Sequence, residues 1–509
     1  MKKGKNPSGE IKKYKSRKVK KPERIDALGS GYQTTKKHDA QKMAEMIETW
    51  LGNPASKKIM RFLTKRCDKC GRRIDIILRN YAGEDIHPCF KCRTSGKIVN
   101  KILDSFIEKS KVKKENVIKN LKDPMWRKGL SSVLEGIGKY GPRKPFVAYS
   151  PFLIVWNISR LCNLRCKHCY EDAHIATPDE LTTEQAIAAV DKMEQAGVAY
   201  IAISGGEPLM RKDFFQIAER IKKNEMAFSI ATNGILLTKD TVKKLEDLGC
   251  LYVQVSLDGA TAKTHDQFRG RNVFGQTLKG IKNVVKYSKM TVGVAMTVTK
   301  FNLKEVPKAI DLAEKLGVHI FMHYNFIPTG RGTAIVDMDI TPQERETLLK
   351  FLATEVKKRK INLLSTAPQY ARICSTFGQI SSMTHFDTIS QKDRTGSTQF
   401  LAEFIGGCGT ARLYCAMEPN GDIEPCVFIP IKCGNIMKED LIDIWQNNEV
   451  MKKLRDREHF KGVCLKCAHR NICGGCRARA YGYYHDVQQS DPGCIFNLQE
   501  WNKIKTGQE

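Results

Sequence analysis

The chain has 509 residues, of which 85 are Lys or Arg and 55 are Asp or Glu, giving a formal net charge of +30. That length exceeds what one hydrophobic core supports. No apolar run approaches the roughly 18–20 residues of a membrane span, and no signal-peptide-like segment opens the chain. Eighteen cysteines in such a chain argue for metal sites in a reducing, anaerobic cytoplasm rather than for disulfides.

Residues 1–37 form a Lys-rich, apolar-poor tail that is expected to be disordered. Its charge suits nucleic acid, an anionic membrane surface or solvation alone. Met43, Met46, Ile47, Trp50 and Leu51 then recur at helical spacing before Asn53-Pro54. Cys67-x2-Cys70 and Cys89-x2-Cys92 flank Ile74-Asp-Ile-Ile-Leu78, read here as a short hairpin. Two such knuckles describe a zinc ribbon or a rubredoxin-like site, and structural zinc is preferred over iron. Val99, Ile102, Leu103, Phe106 and Ile107 form a second helical stripe. Trp126, Leu130, Val133, Leu134 and Ile137 form a third. A small helical domain over 38–145, built around the metal site, is expected.

From about 150 to 345, strands alternate with helices: Phe152–Asn157, Ala199–Ser204, Phe228–Thr232, Tyr252–Ser256, Val292–Thr297 and His319–Asn325. Capping boxes at Thr182-x-x-Gln185 and Thr341-x-x-Glu344 start helices, and Gly197 stops one. Alternation of this kind implies parallel βαβ units with sites at the C-terminal strand ends. Those ends carry the chemistry. Cys162-x3-Cys166-x2-Cys169 follows the first strand, with His168 before the third cysteine. Gly205-Gly206-Glu207-Pro208 follows the second, Asn233-Gly234 the third, and Ser256-Leu-Asp258 the fourth, with Arg269 beyond. Three thiolates are one short of a closed zinc site or a fully ligated cluster. A [4Fe–4S] cube held by three cysteines leaves one iron open.

This ordered set resembles the radical S-adenosylmethionine (radical SAM) superfamily. The resemblance implies a partial (β/α)6 barrel in which the open iron chelates the amino and carboxylate groups of SAM. One electron then yields methionine and a 5′-deoxyadenosyl radical that abstracts hydrogen from an unreactive carbon; the protein supplies aim and electrostatics. It also implies that Gly205, Gly206, Glu207 and Pro208 receive the methionine amino group. Ser256 and Arg269 would hold its carboxylate, and the His168 position would meet adenine. Asn233 and Asp258 join the cofactor-binding set, and His323, Tyr324 and Asn325 end the sixth strand near adenosine or substrate.

A bridging region, 346–404, leads to Cys408-x6-Cys415-x10-Cys426 and Cys464-x2-Cys467-x5-Cys473-x2-Cys476, then Cys494. This pattern, over 405–500, resembles the SPASM extension of radical SAM enzymes. The alternative from spacing alone is a pair of zinc ribbons. The resemblance implies two closed [4Fe–4S] clusters: Cys408, Cys415, Cys426 and Cys476 on one, Cys464, Cys467, Cys473 and Cys494 on the other. With the first cluster that makes three, reduced by a flavodoxin- or ferredoxin-type donor. Cys250, Cys374 and Cys433 read as buried small hydrophobes. Val427 follows Cys426 where sulfatase-maturing members carry Asp, which weakens a role needing a general base there. Gly474-Gly-Cys-Arg-Ala-Arg-Ala-Tyr481 looks most like the haem-precursor-processing members. A tetrapyrrole is the first substrate reading, with a peptide and a lipid behind it. A different class, an RNA-binding redox sensor, has the basic charge in its favour.

Overall fold

The computed structural model describes residues 65–110, 113–141, 145–376 and 406–507, together with positions 54, 62, 63 and 143. The basic tail, the Met43–Leu51 stripe and the bridging region from residue 377 on lie outside the described residues. Among the described residues, no helix is long and apolar enough to cross a membrane.

Two short strands, β1 (Arg66–Cys67) and β2 (Gly71–Arg72), pair antiparallel and present the first cysteine knuckle. The expected hairpin at Ile74–Leu78 is instead helix α1 (Arg73–Tyr81). Ile74, Ile77 and Leu78 fall at i, i+3 and i+4, and burying all three needs a helical face rather than strand alternation. Helices α2 (Phe90–Ser110), α3 (Lys114–Lys122) and α4 (Pro124–Tyr140) complete this region. Asp123 caps α4, accepting from the Met125 and Trp126 N–H groups, and Pro124 occupies its first turn. Ile74, Ile77, Val99 and Ile137 pack with Phe146 and Leu413 in a small core of their own. Arg127, buried on α4, reaches Asp75, Glu84 and Glu225, and the Lys128 Nζ donates to Asn224 O at 2.8 Å. Residues 224 and 225 lead into a barrel strand, so α4 is fixed against the N-terminal end of the barrel.

The barrel strands are β3 (Leu153–Asn157), β4 (Tyr200–Ser204), β5 (Ala227–Thr232), β6 (Cys250–Ser256), β7 (Thr291–Val298) and β8 (Ile320–Asn325). They run parallel in chain order, forming the partial barrel that the resemblance implies. Both capping boxes form, and Gly197 ends its helix in the left-handed region. The sheet extends further than the six strands read from the sequence. Strand β9 (Asn362–Ser365) pairs parallel with β8. At the other edge β10 (Tyr414–Met417), from the cysteine-rich C-terminal region, pairs parallel with β3. β11 (Asp422–Glu424) and β12 (Gly434–Asn435) follow antiparallel. The barrel and the SPASM region therefore share one sheet.

Two buried histidines set an acid limit. Burial, reinforced by Arg345 and Arg479, lowers His323 to about 3, and burial with Arg269 lowers His265 to about 4. Both are neutral when folded, so the stability tied to them is full above about pH 6.5 and is lost as pH falls. Below pH 6 the unfolding free energy should drop by about 1.4 kcal/mol per pH unit for each. His323→Gln should flatten that slope by one proton in denaturant titrations across pH 4.5–6.5; an unchanged slope would show that His323 titrates normally.

Candidate active site

The loop between β3 and the next helix brings Cys162, Cys166 and Cys169 to the C-terminal mouth of the barrel, on the wall of a cavity of about 1340 Å³. Burial pushes the Cys162 thiol up to about 12 and raises Cys166 as well. Thiols in that setting become thiolates only against a bound cation, which fits a metal cluster. The Leu164 N–H donates to Cys162 Sγ at 3.4 Å, and the Arg269 guanidinium lies 3.7 Å from Cys166 Sγ.

Gly205, at φ +115°, and Gly206 run directly beneath this loop. A Cβ on Gly205 would lie 2.6 Å from Ser159 O, and one on Gly206 would strike Leu161 O. Their N–H side is pinned by Gly206 N donating to Ser159 O and Glu207 N to Leu161 O. Gly205, Gly206, Asn233, Ser256, Arg269 and His168 all line the cavity. The other cofactor-binding candidates, Glu207, Pro208 and Asp258, do not. Glu207 is fully buried behind the glycines, accepting from the Thr232 hydroxyl and the Asn233 and Leu209 N–H groups. Burial still raises it to about 7. Pro208 begins the 3-10 turn beside it.

Asp258 is also fully buried. Burial opposes its charge, but the Arg269 guanidinium outweighs it and keeps the carboxylate below its usual range. It accepts from Arg269 Nε at 2.6 Å and Thr297 N at 2.8 Å. Asp258 thus aims Arg269 at the cysteine loop. Burial lowers His168 to about 4, so its ring is neutral, and its Nδ1 is a buried nitrogen without a partner in the structure. Among the residues ending β8, Tyr324 and Asn325 reach the cavity, whereas His323 turns away to Ser365.

Two residues absent from the sequence reading also belong here. Arg331 donates from Nε to Cys166 O at 2.9 Å and from Nη2 to Ala173 O, clamping the cysteine loop. The Gly330-Arg-Gly332 run was its only signal; Gly330 takes φ +53° and lies against Tyr170 O. Tyr170, next to Cys169, donates to Asn157 Oδ1 at 3.3 Å and lies 2.9 Å from Ser204 Oγ.

Behind the cavity, Cys464, Cys467, Cys473 and Cys494 surround one small pocket with Arg372 and His469. The Arg477 guanidinium, the His469 N–H and the Gly475 N–H each approach a sulfur of this set. Cys408, Cys426 and Cys476 gather around Tyr414, whose hydroxyl donates to Cys426 Sγ at 3.3 Å. Cys415 lies beside Cys433 and Arg455 instead. At the far end of the chain, the sulfurs of Cys67, Cys70, Cys89 and Cys92 lie within 4.8 Å of one another, an all-sulfur set suited to zinc or iron.

The chain matches the radical SAM superfamily profile over residues 156–313 and the SPASM profile, an iron-sulfur cluster-binding domain, over 408–468. An AdoMet-dependent heme synthase of Methanosarcina barkeri is 36% identical over 355 residues, covering 68% of this chain and 97% of that protein. The mycofactocin maturase MftC of Mycobacterium tuberculosis is 25% identical over 352 residues, covering 68% of this chain and 83% of its own. In fold, the chain is similar to Streptococcus suis SuiB, crystallised with its precursor peptide SuiA, at a TM-score of 0.59 and 16% identity. That likeness spans 83% of this chain and 93% of SuiB. Because the heme synthase aligns along nearly its whole length above a cysteine triplet set in a partial barrel, this chain belongs to the radical SAM superfamily, in its SPASM-bearing branch.

Proposed function

We propose that this chain cleaves SAM reductively and uses the resulting 5′-deoxyadenosyl radical to take hydrogen from an unactivated carbon of a large, mostly apolar substrate. The observation that carries this reading is the cysteine triplet opening, beside Gly205 and Gly206, onto the barrel cavity. A [4Fe–4S] cluster on Cys162, Cys166 and Cys169 supplies the electron. The chain's own residues do the rest. The Gly205–Gly206 backbone admits the methionine amino end, and Arg269, aimed by Asp258, meets its carboxylate with Ser256. His168 flanks adenine as a neutral ring, and Arg331 keeps the cysteine loop in place.

A tetrapyrrole side chain is the first substrate reading, supported by the likeness to the Methanosarcina barkeri heme synthase and by the size of the cavity. His319 and Lys360 on its wall suit substrate carboxylates. A second reading, an alkyl chain, draws on the cavity's length. It continues past Tyr200 and Leu251 to the strand starts at Thr291 and Ile320, where Leu121 of α3 and Trp126 and Val133 of α4 close it. Leu121, Trp126 and Val133 there precede residue 156, where the radical SAM match begins. Anaerobic protein given SAM, dithionite and either Fe-coproporphyrin III or an archaeal lipid extract separates the two. The expected result is 5′-deoxyadenosine formation coupled to a mass change in one of them. Release of 5′-deoxyadenosine with neither substrate altered would sink both readings.

Arg269→Ala should weaken SAM binding roughly ten- to a hundredfold, since a lost charge-assisted hydrogen bond costs about 1.5–3 kcal/mol. Equilibrium binding by calorimetry checks this, and an unchanged affinity would remove Arg269 from the carboxylate site. Three clusters and one structural zinc on Cys67, Cys70, Cys89 and Cys92 complete the proposed inventory. Purified protein should therefore contain near twelve iron and one zinc per chain.

A further inference from the structure

The first auxiliary site is read as closed by four thiolates, yet the four candidate cysteines do not share a face. β10 lies parallel to β3 with Tyr414 opposite Leu153, Cys415 opposite Ile154, and Ala416 opposite Val155. Side chains alternate along a strand, and laterally paired residues on neighbouring strands share a face. Leu153, Val155 and Tyr414 line the barrel cavity. Cys415 and Ile154 therefore point to the opposite, helix-covered face, where both are fully buried. A one-residue slip of β10 would turn Cys415 inward, but it would also drive Tyr414 into that packed face, so the register is strongly held. The charged or polar groups facing Cys415 are Cys433 and Arg455.

Cys408, Cys426 and Cys476 do converge. Cys426 and Cys476 each feel Cys408, and all three act on Tyr414. Cys476 caps the helix Arg477–Tyr484, its sulfur taking the Arg479 N–H at 3.4 Å. The Tyr414 hydroxyl, on the cavity face, lies 3.3 Å from Cys426 Sγ. Val427 and Phe428, directly after Cys426, line the same cavity as the Cys162–Cys169 loop. The site therefore abuts the substrate space.

We propose that the first auxiliary site is a three-thiolate site of Cys408, Cys426 and Cys476, whose remaining iron takes an oxygen ligand on the cavity wall, with Cys415 a core residue. The inference rests on the reading above that this region holds a cluster. The oxygen comes from the Tyr414 hydroxyl or from a carboxylate or hydroxyl of the substrate. In either case this iron can exchange its ligand, unlike the iron of a closed cube.

The test uses full-length protein carrying Cys162→Ala, Cys166→Ala and Cys169→Ala, reconstituted anaerobically so that auxiliary iron alone remains. Adding Cys415→Ala should leave its iron unchanged, whereas adding Cys426→Ala should remove about half. Reduced with dithionite and given ¹³C-cyanide, the triple variant with or without Tyr414→Phe should show a ¹³C hyperfine coupling. A spectrum already shifted by Tyr414→Phe before cyanide assigns the position to Tyr414. An unshifted one assigns it to an external oxygen donor. Loss of half the iron from Cys415→Ala protein that keeps its native circular dichroism overturns the proposal. So does iron-loaded triple variant that takes no cyanide on either background, a result that decides alone if Cys415→Ala does not fold. A triple variant without any iron would instead overturn the cluster reading itself.

Discussion

Cys166→Ala should reduce 5′-deoxyadenosine release to background and lower iron by about four atoms per chain. Cys166 is the middle cysteine of the triplet, with Arg269 at its sulfur and Arg331 at its carbonyl oxygen. Two thiolates remain after the change, and no neighbouring acid or imidazole replaces the third: Glu207 is turned behind the glycines, Asp258 is committed to Arg269, and His168 contacts that same pair. The loss should therefore be complete rather than graded. Anaerobic chromatography of the reaction, with iron analysis of the same sample, measures both effects. Sustained cleavage by Cys166→Ala protein would mean that the reacting iron is held elsewhere.

Asp339→Ala should cost about 3–5 kcal/mol of stability, because it strands buried cations without their partner. Asp339 is fully buried, bound by Arg345 Nη2 at 2.7 Å, by the Arg479 guanidinium, and by the Tyr483 hydroxyl at 2.8 Å. Arg479 continues to Asn325 Oδ1 and Phe326 O at the end of β8, and Arg345 to Gly493 O beside Cys494. One carboxylate thus joins the barrel rim to the helix that carries Cys476. The expected readout is an earlier unfolding midpoint in denaturant, with proteolysis starting in the C-terminal region. A loss below about 1 kcal/mol would show that the two arginines are satisfied without Asp339.

The six barrel strands and the motifs at their ends were legible because buried parallel strands are continuous apolar runs punctuated by Gly-rich turns. The same motifs carried the family. Elsewhere the signals were short or non-local. Ile74-Asp-Ile-Ile-Leu78 is a five-residue stretch, too brief for periodicity to separate helix from strand, and the structure chose the helix. β10 has four residues, and the Pro419-Asn-Gly421 turn after it points to the hairpin with β11 rather than to its distant partner β3. Cysteine spacing says nothing of which face a strand residue takes, so Cys415 could not be separated from Cys426 in the sequence. Glu207 and Asp258 were read as ligand contacts, whereas burial gives them supporting positions under Asn233 and Arg269.

The pairing of β10 with β3 has a consequence for how the chain is made. Asn157 at the end of β3 bonds Glu418 just past β10, 261 positions later. At a synthesis rate of about 5–20 residues per second, β3 waits on the order of 13–50 s for that neighbour. During that interval Leu153, Ile154, Val155 and Trp156 present an open, apolar strand edge, the kind that recruits other chains. Ribosome-associated chaperones should therefore be needed until the last hundred or so residues emerge. A barrel fragment ending near residue 376 should aggregate, although every residue proposed to meet SAM is present in it.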